Sequence, residues 1–315
     1  MAPRKDFEFM KILVPAVLMV ACAQPILACD LCSIYAATEA QGGSGHGFFG
    51  GVAEQFTHFG TLQNEGRKVP NTFGQYIDSS VAQVFAGYNF NDRFGLQLNL
   101  PVIYRSFKRP PGGGSGAEFG IGDVSLIGNF IAYQKLAENF TFSWNLLGGL
   151  KFPTGNSSHL KDPDVEGSGI GGHDLALGSG SVDGIAGTGF SARWKRLFLD
   201  GGLQYAARTE GDFGHQYAND LTWAGGPGVY LELTHKYTVA FQAIVSGEIK
   251  GKDSVNGQPD GDSAETIVYL GPQISATWAS KLSVQVGADL PVSVGNSGLQ
   301  VVPDYRVHAA VTWRF

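Results

Sequence analysis

The sequence predicts an all-β fold, a transmembrane antiparallel β-barrel of about twelve strands, on three observations. From about Gly47 onward apolar and polar residues alternate with period two, the spacing of a strand with two unlike faces. The connections between the alternating segments are short and long in strict turn, as in barrels with short turns on one side of a membrane and longer loops on the other. The chain ends on Phe315, with Trp313 and Val311 before it at spacing two.

Each segment follows from its pattern. Between Phe94 and Tyr104 the residues Phe94, Leu96, Leu98, Leu100, Val102 and Tyr104 share one face, and Gln97, Asn99 and Arg105 the other. From Leu282 to Val294 the apolar set is Leu282, Val284, Val286, Ala288, Leu290, Val292 and Val294. At the C-terminus Tyr305, Val307, Ala309, Val311, Trp313 and Phe315 oppose Arg306, His308, Thr312 and Arg314. The twelve predicted spans are 47–60, 76–90, 93–107, 119–133, 139–153, 176–194, 196–208, 220–234, 237–249, 264–279, 282–294 and 304–315. Short turns fall at Asn91-Asp92, 134–138, Lys195, His235-Lys236 and Ser280-Lys281. The long connections 61–75, 109–118, 154–175, 209–219, 250–263 and 295–303 are rich in Gly, Pro, Asp, Asn and Ser, and read as solvated loops. An even strand count puts both termini on the short-turn side.

Composition agrees. Charged residues are only 16% of the 315, Gly numbers 45, and no internal stretch reaches the roughly 18 apolar residues of a membrane-spanning helix. A net charge of -6 argues against nucleic acid as a partner. In a closed sheet every backbone group pairs internally, so the apolar face can meet outer-membrane lipid. Tyr104, Trp194, Trp223, Tyr237, Trp278 and Trp313, near strand ends, suit interfacial girdles. An aromatic last residue such as Phe315 is the feature that barrel assembly machinery is thought to read.

The N-terminus carries an export signal. Lys11 precedes an apolar run from Ile12 to about Ala23, and Pro25-Ile26-Leu27-Ala28 ends on a small residue. Cleavage after Ala28 divides the chain into a signal peptide, 1–28, a periplasmic segment, 29–46, and an outer-membrane barrel, 47–315. The mature chain then begins at Cys29-Asp30-Leu31-Cys32. Ser33 stands where covalent haem attachment needs His. In an oxidising compartment Cys29 and Cys32 are a disulfide candidate. A metal reading, with Cys29, Cys32 and His46, supplies three ligands where a closed zinc site needs four. Lipidation of Cys29 is a third reading, poorly served by Leu27. No cofactor is expected.

Several charges fall on predicted inward faces: Arg105, Lys151, Asp200, Arg208, Glu232, Glu248, Asp289 and Arg306. A Lys or Arg facing lipid near the midplane costs about 2–4 kcal/mol, so these are candidate lumen-lining residues. They either pair across the lumen and fill it or form a constriction that selects solutes. The acidic stretch Asp162, Asp164, Glu166 and Asp174 lies in the longest loop and reads as solvated. His308 faces the predicted lumen and His235 a turn, so no Ser–His pair of the outer-membrane phospholipase kind is legible, and no enzyme is expected.

Gly122-Asp123-Val124, Leu150-Lys151-Phe152-Pro153-Thr154-Gly155, Gly178-Ser179-Gly180-Ser181-Val182-Asp183, Gly226-Pro227-Gly228, Leu290-Pro291-Val292, Gly298-Leu299-Gln300 and Trp313-Arg314-Phe315 follow one another in order. In this ordered set the chain resembles the outer-membrane family named for the meta-pathway of phenol degradation, often labelled simply "transporter". The resemblance runs from about the third strand to the end. It implies a barrel that admits small solutes, often hydrophobic or aromatic compounds. The alternative is a non-conducting structural or binding barrel, metal-linked through the N-terminal CxxC.

Overall fold

The computed structural model describes residues 46–163 and 165–315. The signal segment, the cysteine pair Cys29 and Cys32, and Asp164 lie outside the described residues. His46 lies at their edge, exposed, with its ring against Tyr88.

Twelve long strands among the described residues close one antiparallel barrel. They are β1 (Gly47–Asn64), β2 (Tyr76–Asn89), β3 (Phe94–Lys108), β4 in two segments (Ser115–Ile121 and Val124–Leu136), β5 (Phe140–Phe152), β6 (Asp183–Trp194), β7 (Leu197–Ala207), β8 (Asp220–Leu233), β9 (Tyr237–Lys250), β10 (Glu265–Trp278), β11 (Leu282–Asn296) and β12 (Leu299–Arg314). Each strand pairs with its sequence neighbour, and β12 returns to β1 from Phe49↔Arg314 to Asn64↔Leu299. The sheet therefore has no free edge. The Phe315 amide donates to the Phe48 carbonyl at 3.0 Å and seals the seam.

The outer surface is apolar. Leu98, Leu146, Leu199, Leu203, Phe241, Ile274, Val286, Leu290 and Val307 are all exposed. Alternate residues on the same strands, such as Gln97, Asn99, Asn145, Gln204, Gln242 and Gln273, are buried inside. The short-turn end wears an aromatic belt of Phe90, Phe94, Phe140, Trp194, Tyr237, Trp278 and Trp313, all exposed. Trp223, on the outer face near the long-loop end of its strand, is half-buried against Gly247. At the β10–β11 hairpin Ala279 (φ 51) and Ser280 (φ 56) adopt the positive φ of a tight turn without glycine.

Four local expectations need correction. Residues 176–182 alternate like a strand but join no ladder, and β6 begins only at Asp183. The supposed loop 295–303 is a two-residue turn at Ser297-Gly298, where Gly298 has φ 59, so the last connection is short. The β10–β11 register slips by one beside Val292, pairing Val294 with buried Ile267, so Val294 turns to the lumen. Fourth, the longest loop is not solvated. It folds back into the barrel.

Candidate functional site

The loop between β5 and β6 is the largest connection, 153–182, and it enters the barrel mouth at the long-loop end. Pro153 ends β5 by removing a donor. The chain then pinches shut: Leu177 and Gly178 amides both donate to the Asn156 carbonyl, at 2.9 and 3.1 Å. Gly155 and Gly178 sit so close that a side chain on either would meet the other's backbone. Beyond this neck Ile170 and Leu175 are fully buried against Phe59, Leu62, Ile77, Phe107 and Val301. Leu177 packs on Val81 and Ile103. Each such side chain contributes about 1.5–3 kcal/mol. The lumen wall is thus apolar at this level, unlike the polar lining expected for the whole bore.

Polar ties fix the same plug to the wall. Arg105, 1% exposed, donates from one guanidinium nitrogen to the carbonyls of Asp174 and Ala176, both at 2.7 Å. Gln75 brackets the loop, donating to Gly167 O and accepting from Gly169 N, each at 2.9 Å. Val301 N donates to Gly169 O at 2.9 Å, adding the plug to β12. Two further loops cap it. The Tyr217 hydroxyl donates to His173 O at 2.9 Å, and the His173 and His215 rings stack at 6.3 Å.

Buried Asp253 anchors these caps, receiving Lys250 Nζ at 3.0 Å and the Ala218 amide at 2.8 Å. Burial alone would raise its pKa, but the Lys250 charge and the His215 hydrogen bond overcome this and hold it at about 2, below the ordinary 3.8. A depressed carboxylate contributes stability that is complete above 3.8 and is lost as pH falls through about 2. Pepsin cleavage in loops 208–219 and 251–264 is therefore expected to rise steeply as pH falls from about 4 to about 2. Asp253→Asn should be cut readily at both. Equal cutting of the native protein at both would refute this role.

Below the plug, three of the sequence motifs converge on one cluster. Lys151 Nζ lies 2.7 Å from Asp123 and 2.7 Å from Asp183, and donates to Ser179 Oγ at 2.6 Å. Asp123 also accepts the Gly155 and Ser179 amides, each at 2.9 Å. Arg208 bridges Asp183 at 3.1 Å and Asp220 at 2.8 Å. A void of only about 40 Å³ remains among these side chains. In a second cluster Arg306 reaches Asp289 at 2.8 Å and Ser246 at 2.6 Å, and lies 4.1 Å from the Tyr269 ring centre. His308 lies 3.2 Å from the same Asp289.

The short-turn half of the lumen is open. A cavity of about 520 Å³ is lined by Phe198 and Tyr230, by amides including Asn129, Asn145, Gln242 and Gln273, and by Asp200 and Arg314. Outside, a groove of about 390 Å³ between Trp144, Leu203 and Trp223 shares Gly201, Gly202 and Gly225 with the cavity, so there the wall is only backbone thick.

Of the sequence-named charges, Arg105 holds the plug, Lys151 and Arg208 share one cluster, Asp289 and Arg306 another, and Asp200 faces the cavity. Glu248 sits at a register position between buried Thr222 and Ile267. Glu232 is a correction. The register slips at Leu231, pairing Glu232 with Val239 on the face opposite Tyr230 and Ala240. The inward-face pattern misses Asp123, Asp183, Asp220, Lys250 and Asp253. Asp123 and Asp183 stand inside the ordered motifs, while Lys250 and Asp253 give no signal. The acidic stretch is also engaged in part: Asp162 pairs with His159 at 2.6 Å, and Asp174 accepts the Gly171 amide at 2.8 Å.

A family model described as putative MetA-pathway of phenol degradation matches residues 61–300. No match was found among curated proteins. Among solved structures, an outer membrane channel from Pseudomonas putida F1 aligns with a TM-score of 0.63 at 16% identity, covering 86% of this chain and 96% of that one. The translocator domain of the autotransporter NalP from Neisseria meningitidis aligns with a TM-score of 0.44 at 13% identity, covering 89% and 93%. A FadL homologue from Pseudomonas aeruginosa aligns with a TM-score of 0.37 at 10% identity, covering 85% and 90%. The first likeness shows a shared fold, that of an outer-membrane barrel.

Proposed function

Because the chain belongs to the family described as putative MetA-pathway of phenol degradation and is an outer-membrane β-barrel, we propose that it is a channel for small solutes, hydrophobic or aromatic compounds among them. The observation that carries this reading is the cavity of about 520 Å³ inside the closed wall. It is the size of a small-molecule site, and twelve strands lie between the filled eight-strand barrel and the open sixteen-strand pore. Phe198 and Tyr230 offer flat apolar contact, and the amides offer hydrogen bonds to uncharged polar groups. In this reading the short turns face the periplasm, the signal 1–28 is removed, and Cys29 and Cys32 form a disulfide there. Lipid covers the apolar face, and Phe315 is what the assembly machinery reads.

A second reading, a non-conducting barrel, is favoured by one observation: the plug and its ion pairs fill the long-loop half. Swelling of proteoliposomes separates the two. Glucose and phenyl glucoside are expected to enter, the aromatic glycoside at least as fast despite its size, and a trisaccharide is expected to stay out. Faster glucose entry would reject the aromatic preference. No entry of either, with protein shown to be folded by its heat-modifiable migration on gels, would overturn the channel.

A further inference from the structure

We propose that the cavity at the short-turn end is a binding site for a small amphoteric solute, held across the lumen with an ammonium or other donor end at Asp200 and a carboxylate end at Arg314. The proposal rests on the reading of this cavity as part of a solute path, and adds the charge type of the solute.

Asp200 and Arg314 are the only charged side chains among the described residues lining the cavity. The larger lumen charges lie in the two clusters above, where cation and carboxylate consume one another. These two do not. Asp200 Oδ1 and Arg314 Nε are both buried without a hydrogen-bond partner. They belong to β7 and β12, which stand five strands apart one way round the twelve-stranded barrel and seven the other, so they occupy nearly opposite walls. Asp200 is held from the sides by its register neighbours Ser191 and Gly226, and Gly226 leaves the space beside it free of side chain.

A lone acid facing a lone base through a low-dielectric wall sets up a field across the bore. A neutral solute gains nothing from this field. A singly charged one gains at one wall and is repelled at the other. A solute carrying both charges aligns with it and satisfies both orphaned groups. Between the two ends, Phe198 and Tyr230, 4.9 Å apart, give a flat apolar body something to lie on.

The test is calorimetric binding to the full-length protein in detergent at neutral pH, with four solutes that share one body. They are 4-(aminomethyl)benzoate, with its charges at opposite ends of the ring, and 4-methylbenzylamine, 4-methylbenzoate and 4-methylbenzyl alcohol. The aminomethylbenzoate is expected to bind tightest. Asp200→Asn should weaken it and 4-methylbenzylamine about tenfold, the loss of one charge-assisted contact, and leave 4-methylbenzoate nearly unchanged. Arg314→Gln should do the reverse, with Arg314→Lys as the assembly control beside Phe315. If Arg314→Gln fails to assemble, Asp200→Asn alone decides. Equal affinities for all four solutes, or an unchanged ranking in folded Asp200→Asn, would overturn the site. Binding of the aminomethylbenzoate without solute entry in the swelling assay would refute passage and uphold the site. Entry with no charge preference would do the opposite.

Discussion

Lys151→Met is expected to lower the stability of the folded barrel by about 3–5 kcal/mol, the loss found when one partner of a buried ion pair is removed. Lys151 is the single cation between Asp123 and Asp183, and those carboxylates are 7% and 1% exposed. Arg208 still reaches Asp183 after the substitution, but no described cation other than Lys151 lies within ion-pair distance of Asp123. The damage should spread to the plug, because Lys151 also binds Ser179 and Asp123 binds the Gly155 amide. Adding Asp123→Asn to Lys151→Met should restore part of the loss, since the residues share one network. Urea unfolding in detergent, followed by gel migration, measures both. An unchanged midpoint in the single variant would show that the cluster contributes nothing.

The wall of this barrel is written in the chain, because a half-buried strand must alternate and a lipid-facing residue must be apolar. Phe94–Tyr104 and Tyr305–Phe315 show it without interruption. Bulges are where that logic fails. The slip at Val292 follows Pro291, which marks an irregularity, but the slip at Leu231 has no Gly or Pro beside it. One extra residue reverses the faces of every residue after it, which is why simple alternation puts Glu232 inside and Val294 outside. Residues 176–182 mislead for a different reason. Their residue types alternate as a strand's do, but Leu177 packs on Val81 and Ile103 while Ser179 and Ser181 donate to Asp123 and Asp183, so they read as a ladder when they belong to the plug. The charges of the lumen were legible as charges that lipid would not tolerate. Their partners were not, because Asp123, Lys151, Asp183, Arg208 and Asp220 come from five different strand ends, and His173, His215 and Asp253 from three loops. No spacing along the chain encodes those meetings.

The plug prompts the second large effect. Because the loop closes on itself where Leu177 and Gly178 bind Asn156, residues 157–177 can be excised and the neck bridged by two glycines without moving β5 or β6. This removes Ile170, Leu175 and Leu177 from the mouth and frees Arg105 from the carbonyls of Asp174 and Ala176. It leaves the Lys151 cluster on one wall and the Arg306–Asp289 pair on another, with the space between them vacated. The apolar wall of Phe59, Ile77, Phe107 and Val301 loses its cover, so the variant should also unfold at lower urea than the parent. Single-channel conductance in planar bilayers, measured side by side on the intact and excised proteins, tests the central claim that this is a narrow channel throttled by its own loop. The predicted result is small steps from the intact protein and steps several times larger from the excised one, with weaker discrimination by solute size. Equal conductances, or no conductance from an excised protein that still shows heat-modifiable migration, would contradict it.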